Sequence, residues 1–177
     1  LTQRDTDASP ATAPALPPEY DQALVLMQSG NYRKAIPLLQ RLIAKQPGQA
    51  GVYLNLGIAC RAANRPEEAL KALNRSIELS SENPAAYHQK GIVLRQQGDF
   101  EGALEAYSKA LSLEPDYALV HRSIGILYDL YLRQPAEALD HYRTYRQLTA
   151  APPDSEVSAW IVDLERRSAN GQARAEP

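Results

Sequence analysis

The chain has 177 residues, 44% of them hydrophobic and 23% charged, with a formal net charge of -2. That is enough for one domain with its own core, and the near-neutral balance offers no overall field to draw in nucleic acid. Its one cysteine, Cys60, excludes an internal disulfide and leaves no zinc-ligand spacing, and no run approaches the ~20 apolar residues that cross a bilayer.

Residues 1–18, LTQRDTDASPATAPALPP, are rich in Ala, Pro, Thr and Asp with little to bury, and they read as a flexible leader. The first residue is Leu1 where a native start would give Met, so a removed segment, such as an export signal or a lipid anchor, is an expectation.

Behind the leader, Gly57, Gly91 and Gly125 recur every 34 residues, and Ala35, Ala69 and Ala103 repeat with the same period in a second register. A fixed spacing of this length marks stacked helical hairpins, neither of whose helices can hide its apolar face alone. Within residues 84–117, Tyr87, Gly91 and Leu94 fall at helical spacing before Gly98-Asp99 breaks the helix. Phe100, Ala103, Leu104, Tyr107 and Ala110 resume the period on a second helix, with Pro115 beyond its end. Gly in a helix interior costs about 1 kcal/mol relative to Ala, so Gly91 predicts a close helix contact, with Ala103 receiving it.

The same frame fits residues 16–49, with Ala23, Leu26, a Gly30-Asn31 turn, Tyr32, Ala35, Leu39 and Leu42. It fits residues 50–83, with Tyr53, Leu56, Gly57, Cys60, an Asn64-Arg65-Pro66 turn, Ala69 and Leu73. It fits residues 118–151, with His121, Ile124, Gly125, Tyr128, then Ala138, Tyr142 and Tyr145. From Ala103 to Ala138 is 35 residues, so the last hairpin carries one extra residue, assigned here to the turn Tyr131–Pro135.

Tyr53-x-x-Leu56-Gly57 and the run from Ala103 through Tyr107 to Pro115 resemble the tetratricopeptide repeat. The resemblance covers four repeats across residues 19–151, with Glu19, Cys60, Ser81 and His121 as mild departures. It implies an all-α, right-handed α-α superhelix of antiparallel hairpins whose first helices line a concave face. Residues 152–168 then read as a closing helix. Pro152-Pro153 stops the preceding helix, Asp154 or Ser155 can cap a new one, and Val157, Trp160, Ile161 and Leu164 form an apolar stripe. Trp160 is expected to anchor on Tyr142 or Tyr145, and residues 169–177 to fray. Helices are predicted to begin near 18, 33, 51, 67, 84, 101, 118, 136 and 154, with no strand in residues 20–165.

Off the packing stripe, the first helices present Tyr20, Leu24 and Met27; Leu54, Asn55, Ile58 and Arg61; His88, Gln89, Ile92 and Arg95; and Leu119, Arg122, Ile126 and Asp129. Leu24, Ile58, Ile92 and Ile126 are 34 apart and would form an apolar seam flanked by Arg61, Arg95 and Arg122. That suits a partner protein's peptide or helix, with guanidinium groups meeting carboxylates or carbonyls. The plainer reading has the seam pack on neighbouring helices and the arginines solvate the face. The branch of the family that grips chaperone C-terminal tails uses Lys, Asn and Arg positions of which only Asn55 is kept here; Tyr20, Leu24, Ala85 and Gln89 hold the others, which argues against a chaperone-tail role.

Chemistry finds no footing: His88, His121 and His141 share no helix face with Cys60 or a carboxylate in metal spacing, and no Gly-rich phosphate loop occurs. No enzyme, cofactor or metal is expected. Two roles stay open: an adaptor that binds in the groove, or an assembly subunit that uses its convex or terminal surface. The compartment is also open, between the bacterial envelope (periplasm or a lipoprotein at the outer membrane, on the layout of leader and closing helix) and the cytoplasm. Ala103→Leu should destabilise the fold by ~1–3 kcal/mol through overpacking; thermal unfolding no worse than wild type would remove Ala103 from a hairpin contact.

Overall fold

The computed structural model describes residues 17–152 and 155–172. They form α1 (Pro18–Gln28), α2 (Tyr32–Lys45), α3 (Ala50–Ala62), α4 (Pro66–Leu79), α5 (Pro84–Gln96), α6 (Phe100–Leu113), α7 (Ala118–Ile126), α8 (Pro135–Thr149) and α9 (Glu156–Gln172). Each predicted start lies within two residues of an observed one, and no strand occurs among the described residues. The leader up to residue 16, Pro153, Asp154 and the last five residues lie outside them. The frayed end expected from 169 is helical as far as Gln172.

Local chemistry sets the helix starts. Pro18, Pro66, Pro84 and Pro135 stand at first helical positions, where a missing N–H is no loss and φ is already helical. Asn83 Oδ1 accepts from Ala85 N at 3.0 Å and Asp99 Oδ1 from Gly102 N at 2.9 Å, capping α5 and α6. The first helices end on a left-handed residue, Gly30, Asn64 or Gly98. Beyond it, Asn31 N, Arg65 N and Asp99 N reach back five residues to the carbonyls of Leu26, Cys60 and Leu94 at 2.7, 2.9 and 3.0 Å.

The fourth hairpin departs from this, and not in the way expected. Its left-handed residue is Arg133, one position late, and Gln134 N reaches back six residues to Tyr128 O at 2.9 Å. The extra residue is taken up inside the helix, as a π-helical turn over Leu127–Leu132 that continues α7, instead of lengthening the loop Tyr131–Pro135. Widening one helical turn keeps the backbone hydrogen-bonded; a longer loop would have left those groups to water.

Consecutive helices pair as antiparallel hairpins α1/α2, α3/α4, α5/α6 and α7/α8, and successive hairpins stack into an all-α solenoid closed by α9. Ala35, Ala69, Ala103 and Ala138 are fully buried. The residue that fills each glycine's gap, however, is one turn beyond the alanine. A Cβ at Gly57 would lie 2.6 Å from Leu73 Cγ, one at Gly125 would lie 2.5 Å from Tyr142 Cδ1, and one at Gly91 would overlap the Tyr107 ring. The alanines sit beside these contacts, and Ala69 shares in one, its carbonyl oxygen lying 3.3 Å from a Cβ at Gly57. The core runs along the stack in three linked patches: Leu39, Leu42 and Leu73; then Tyr107, Ile124 and Leu127; then Tyr142, Ile161 and Leu164 against α9.

Gly91→Ala sets a helix-propensity gain of about 1 kcal/mol against the overlap with Tyr107. The clash should win, lowering stability by roughly 1–2 kcal/mol in a denaturant titration. An unchanged or raised midpoint would mean that the ring gives way freely.

Candidate functional site

Hydrogen bonds run from each first helix to the next through the side chains expected to face the groove. Asn55 Nδ2 donates to Tyr20 Oη at 2.6 Å, and His88 Nε2 meets Ser123 Oγ at 2.9 Å. Both pairs are 35 residues apart, the same register two repeats on. Between them Leu54 has no polar tip, and Gln89 Oε1 instead accepts from Arg61 Nε at 3.2 Å. Arg95 Nη1 donates to Tyr131 Oη at 3.3 Å, with its guanidinium 5.5 Å from that ring's centre. Leu24, Met27, Ile58, Ile92 and Ile126 are half-buried, neither sealed in the core nor freely solvated.

Three expected groove residues turn out to serve other ends. His88 is 4% exposed, so it lies beneath the groove, between Tyr107 and Tyr117 at ring-centre distances of 5.9 and 5.3 Å. The Ser123 hydroxyl donates to Leu119 O at 2.9 Å and therefore accepts from His88 Nε2–H, which leaves His88 Nδ1 as a bare acceptor. Burial, with Arg61 and Arg95 nearby, pushes the His88 pKa down to about 4. Arg122 stands 5.7 Å from the Trp160 ring centre, and Asp129 pairs with Arg167 at 2.8 Å. Both are held by α9, which takes the place a further first helix would fill. Trp160 packs against Tyr142 as expected, with ring centres 5.2 Å apart and the planes tilted by 46°, and Arg143 pairs with Glu165 at 2.7 Å to fasten the same helix. Leu119 is exposed.

Tyr107, Ser123 and Tyr131 join this site without having been expected in it. The Tyr107 ring occupies the gap left by Gly91 and brings its hydroxyl into the field of Arg95 and Ser123. The signal was present: Leu73 holds the equivalent place one repeat earlier, so a tyrosine there adds a polar tip that packing alone does not require. Ser123 follows His88 at the spacing that joins Tyr20 to Asn55, a recurrence visible only once that pairing is known.

The arginines differ in their surroundings. None of the ion pairs among the described residues includes Arg61 or Arg95. Burial lowers the Arg61 pKa, and Arg95 adds to the effect. The middle of the groove is therefore positive and locally uncompensated. Elsewhere, Cys60 is 1% exposed and burial pushes its thiol up to about 11, so no reactive thiolate forms near neutrality. His121 and His141 meet Nδ1 to Nδ1 at 3.0 Å, with His121 Nε2–H donating to Pro115 O at 3.0 Å, but no three metal-ligating groups converge among the described residues. Nor is any described helix long and apolar enough to cross a membrane.

Tetratricopeptide repeat patterns match residues 20–84 and 91–129. The chain belongs to the tetratricopeptide-repeat proteins. Among solved structures it is similar to MamA, at 26% identity and a TM-score of 0.67 over 75% of this chain and 77% of that one. It is similar to PilF of Pseudomonas aeruginosa, at 21% identity and a TM-score of 0.76 over 86% of this chain and 68% of that one. YrrB, described as a TPR protein with an unusual peptide-binding site, matches at 20% identity and a TM-score of 0.67 over 82% of this chain and 73% of that one. The last two likenesses carry the fold alone. No curated protein sequence matches. Proteins of this repeat family are characteristically non-catalytic scaffolds, and this chain is one of them.

The His88 environment sets a pH dependence. Its folded pKa of about 4 lies below the ordinary 6.5, so the unfolded chain takes the proton first as pH falls. Stability is complete above 6.5, drains away between 6.5 and 4, and the loss reaches roughly 2–3 kcal/mol. His88→Gln keeps a donor for Ser123 and should flatten that part of the profile. Denaturant midpoints at pH 7 and pH 4.5 for both proteins check this; equal pH effects in the two would mean His88 is not held neutral.

Proposed function

We propose that this chain is an adaptor that holds an extended segment or a helix of a partner protein in the groove of α1, α3, α5 and α7. The observation that carries the reading is the ladder of polar side chains joining adjacent first helices around the half-buried Leu24, Ile58 and Ile92. It gives a rigid floor with apolar sockets for alternate side chains and donors for a backbone or a carboxylate. Because α9 holds Arg122 and Asp129, the open stretch is centred on the first three repeats, with Tyr20, Met27, Leu54, Asn55, Arg61, Gln89 and Arg95 around the seam.

A second reading, an assembly subunit, draws support from Leu148 and Val162, which are exposed on α8 and α9 away from that ladder. An envelope setting, periplasmic or tethered by lipid at the outer membrane, goes with either reading. Its support is the Pro/Ala/Thr-rich composition of residues 1–18, which suits a spacer.

Affinity capture from native-host envelope and soluble extracts should retain a partner on the wild type. An Arg61/Arg95→Ala variant of equal helicity should lose it. A partner held equally by both would move the binding surface to the outer helices or α9 and favour the assembly subunit.

A further inference from the structure

We infer that the centre of the groove is an anion subsite, in which Arg61 and Arg95 receive an acidic side chain of the bound partner segment. The inference rests on the groove reading above and names the chemistry at one place within it.

Charge is the first argument. Arg61 on α3 and Arg95 on α5 are half-buried and one repeat apart, and their polar partners are neutral: Gln89 Oε1 for the one, Tyr131 Oη for the other. The cations that do pair with acids (Lys45, Arg65, Arg75, Arg143, Arg166 and Arg167) are all more exposed. Partly desolvated guanidinium groups are ordinarily the ones that need a counter-charge most, since burial of a charge is costly unless it is paired. Here the order is reversed.

The second argument is independent of charge. Three shielded side-chain atoms among the described residues lack a hydrogen-bond partner, and they are Arg95 Nε, Tyr107 Oη and His88 Nδ1. All three gather at one place: the His88 and Tyr107 rings are 5.9 Å apart, and Tyr107 Oη lies within reach of the Arg95 and Ser123 side chains. His88 and Tyr107 are sealed beneath the floor, so the half-buried Arg95 is the one of the three that a ligand in the groove can meet. Buried polar atoms in folded proteins are nearly always partnered, and an Arg95 Nε–H without an acceptor marks a place for one.

Donor inventory then selects the ligand. Arg95 Nε–H and the remaining Arg61 N–H groups are donors, and each guanidinium offers a planar fork. A carboxylate supplies two oxygens with about four lone-pair sites and a negative charge, and answers both guanidinium groups at once. Ile92 packs in the cluster that holds Tyr107, and Ile58 keeps the same half-buried register one repeat earlier, so the fitting motif is one Glu or Asp flanked by apolar side chains. This is not the arrangement by which the family holds chaperone tails, because the only position kept from that set, Asn55, is occupied with Tyr20. Burial is the main cause of His88 neutrality, and Arg61 and Arg95 add to it; a carboxylate held there offsets the arginine part, so the histidine should take up a proton more readily when the groove is filled.

Selection of a random dodecamer phage library on the full chain tests this, with an Arg61→Gln/Arg95→Gln variant of matched thermal stability run in parallel. The wild type should enrich peptides with an acidic residue between apolar ones, and the variant should not. A synthesised selected peptide should bind wild type at least about tenfold tighter than its Glu→Gln counterpart, and its binding should raise the titration midpoint of the His88 ring in proton NMR. Enriched peptides without an acid, equal affinity of the Gln peptide, or enrichment of the same acidic peptides by the variant would overturn the subsite and leave the groove reading in place. No enrichment on either protein would remove the groove reading, and the subsite with it.

Discussion

The contact on which this molecule depends is the one at Gly57, Gly91 and Gly125, where a bulky side chain from the second helix of a hairpin enters the space a Cβ would fill. It brings the two helices of each hairpin close enough to pack as a unit, and the unit is what stacks. The first helices then lie side by side at a spacing that lets Asn55 reach Tyr20 and His88 reach Ser123. The groove is thus a consequence of the hairpin contact. Where the entering residue is Leu73 the contact is purely apolar. Where it is Tyr107 the same contact carries a buried hydroxyl up to Arg95 and Ser123, so packing and the setting of a groove arginine are shaped by one side chain.

The fourth hairpin shows what the array does with a disturbance. One extra residue widens the end of α7 into a π-turn, and Tyr131 on that turn becomes the partner of Arg95 and a neighbour of Phe100, at a ring-centre distance of 5.0 Å. Just beyond, α9 takes hold of Arg122 and Asp129. Closing a solenoid means covering the face that would have received another repeat, and the side chains that line a groove elsewhere are here used for the cover. The open groove is shorter than the count of repeats suggests for this reason.

Period and composition made the helices, their pairing and the anchoring of Trp160 on Tyr142 legible in advance, because each rests on local pattern: proline at helix starts, glycine at turns, apolar spacing on faces. The partners that the first helices bring together were only partly legible, since Ser123 and Tyr131 stand outside the residues that spacing placed on the groove face. What spacing could not tell was depth. His88 and Gln89 are adjacent on one helix, yet one is sealed under the floor and the other stands beside Arg61, a difference set by the Tyr107 and Tyr117 rings arriving from elsewhere in the chain. The π-turn was likewise invisible, since a one-residue surplus in the period does not say whether loop or helix absorbs it. Nor can a pattern of residue types reveal which buried atoms end without a partner.

That last point bears on why the groove is built as it is. A sequence consistent at every level would neutralise Arg61 and Arg95 with a nearby acid, as the outer faces do with Lys45 and Glu19 or Arg143 and Glu165. Two neighbouring half-buried guanidinium groups with no ion pair among the described residues are hard to reconcile with a face that serves only packing. They are the expected pattern where stability is given up for recognition, because donors already fixed in place lose little further freedom when a ligand arrives.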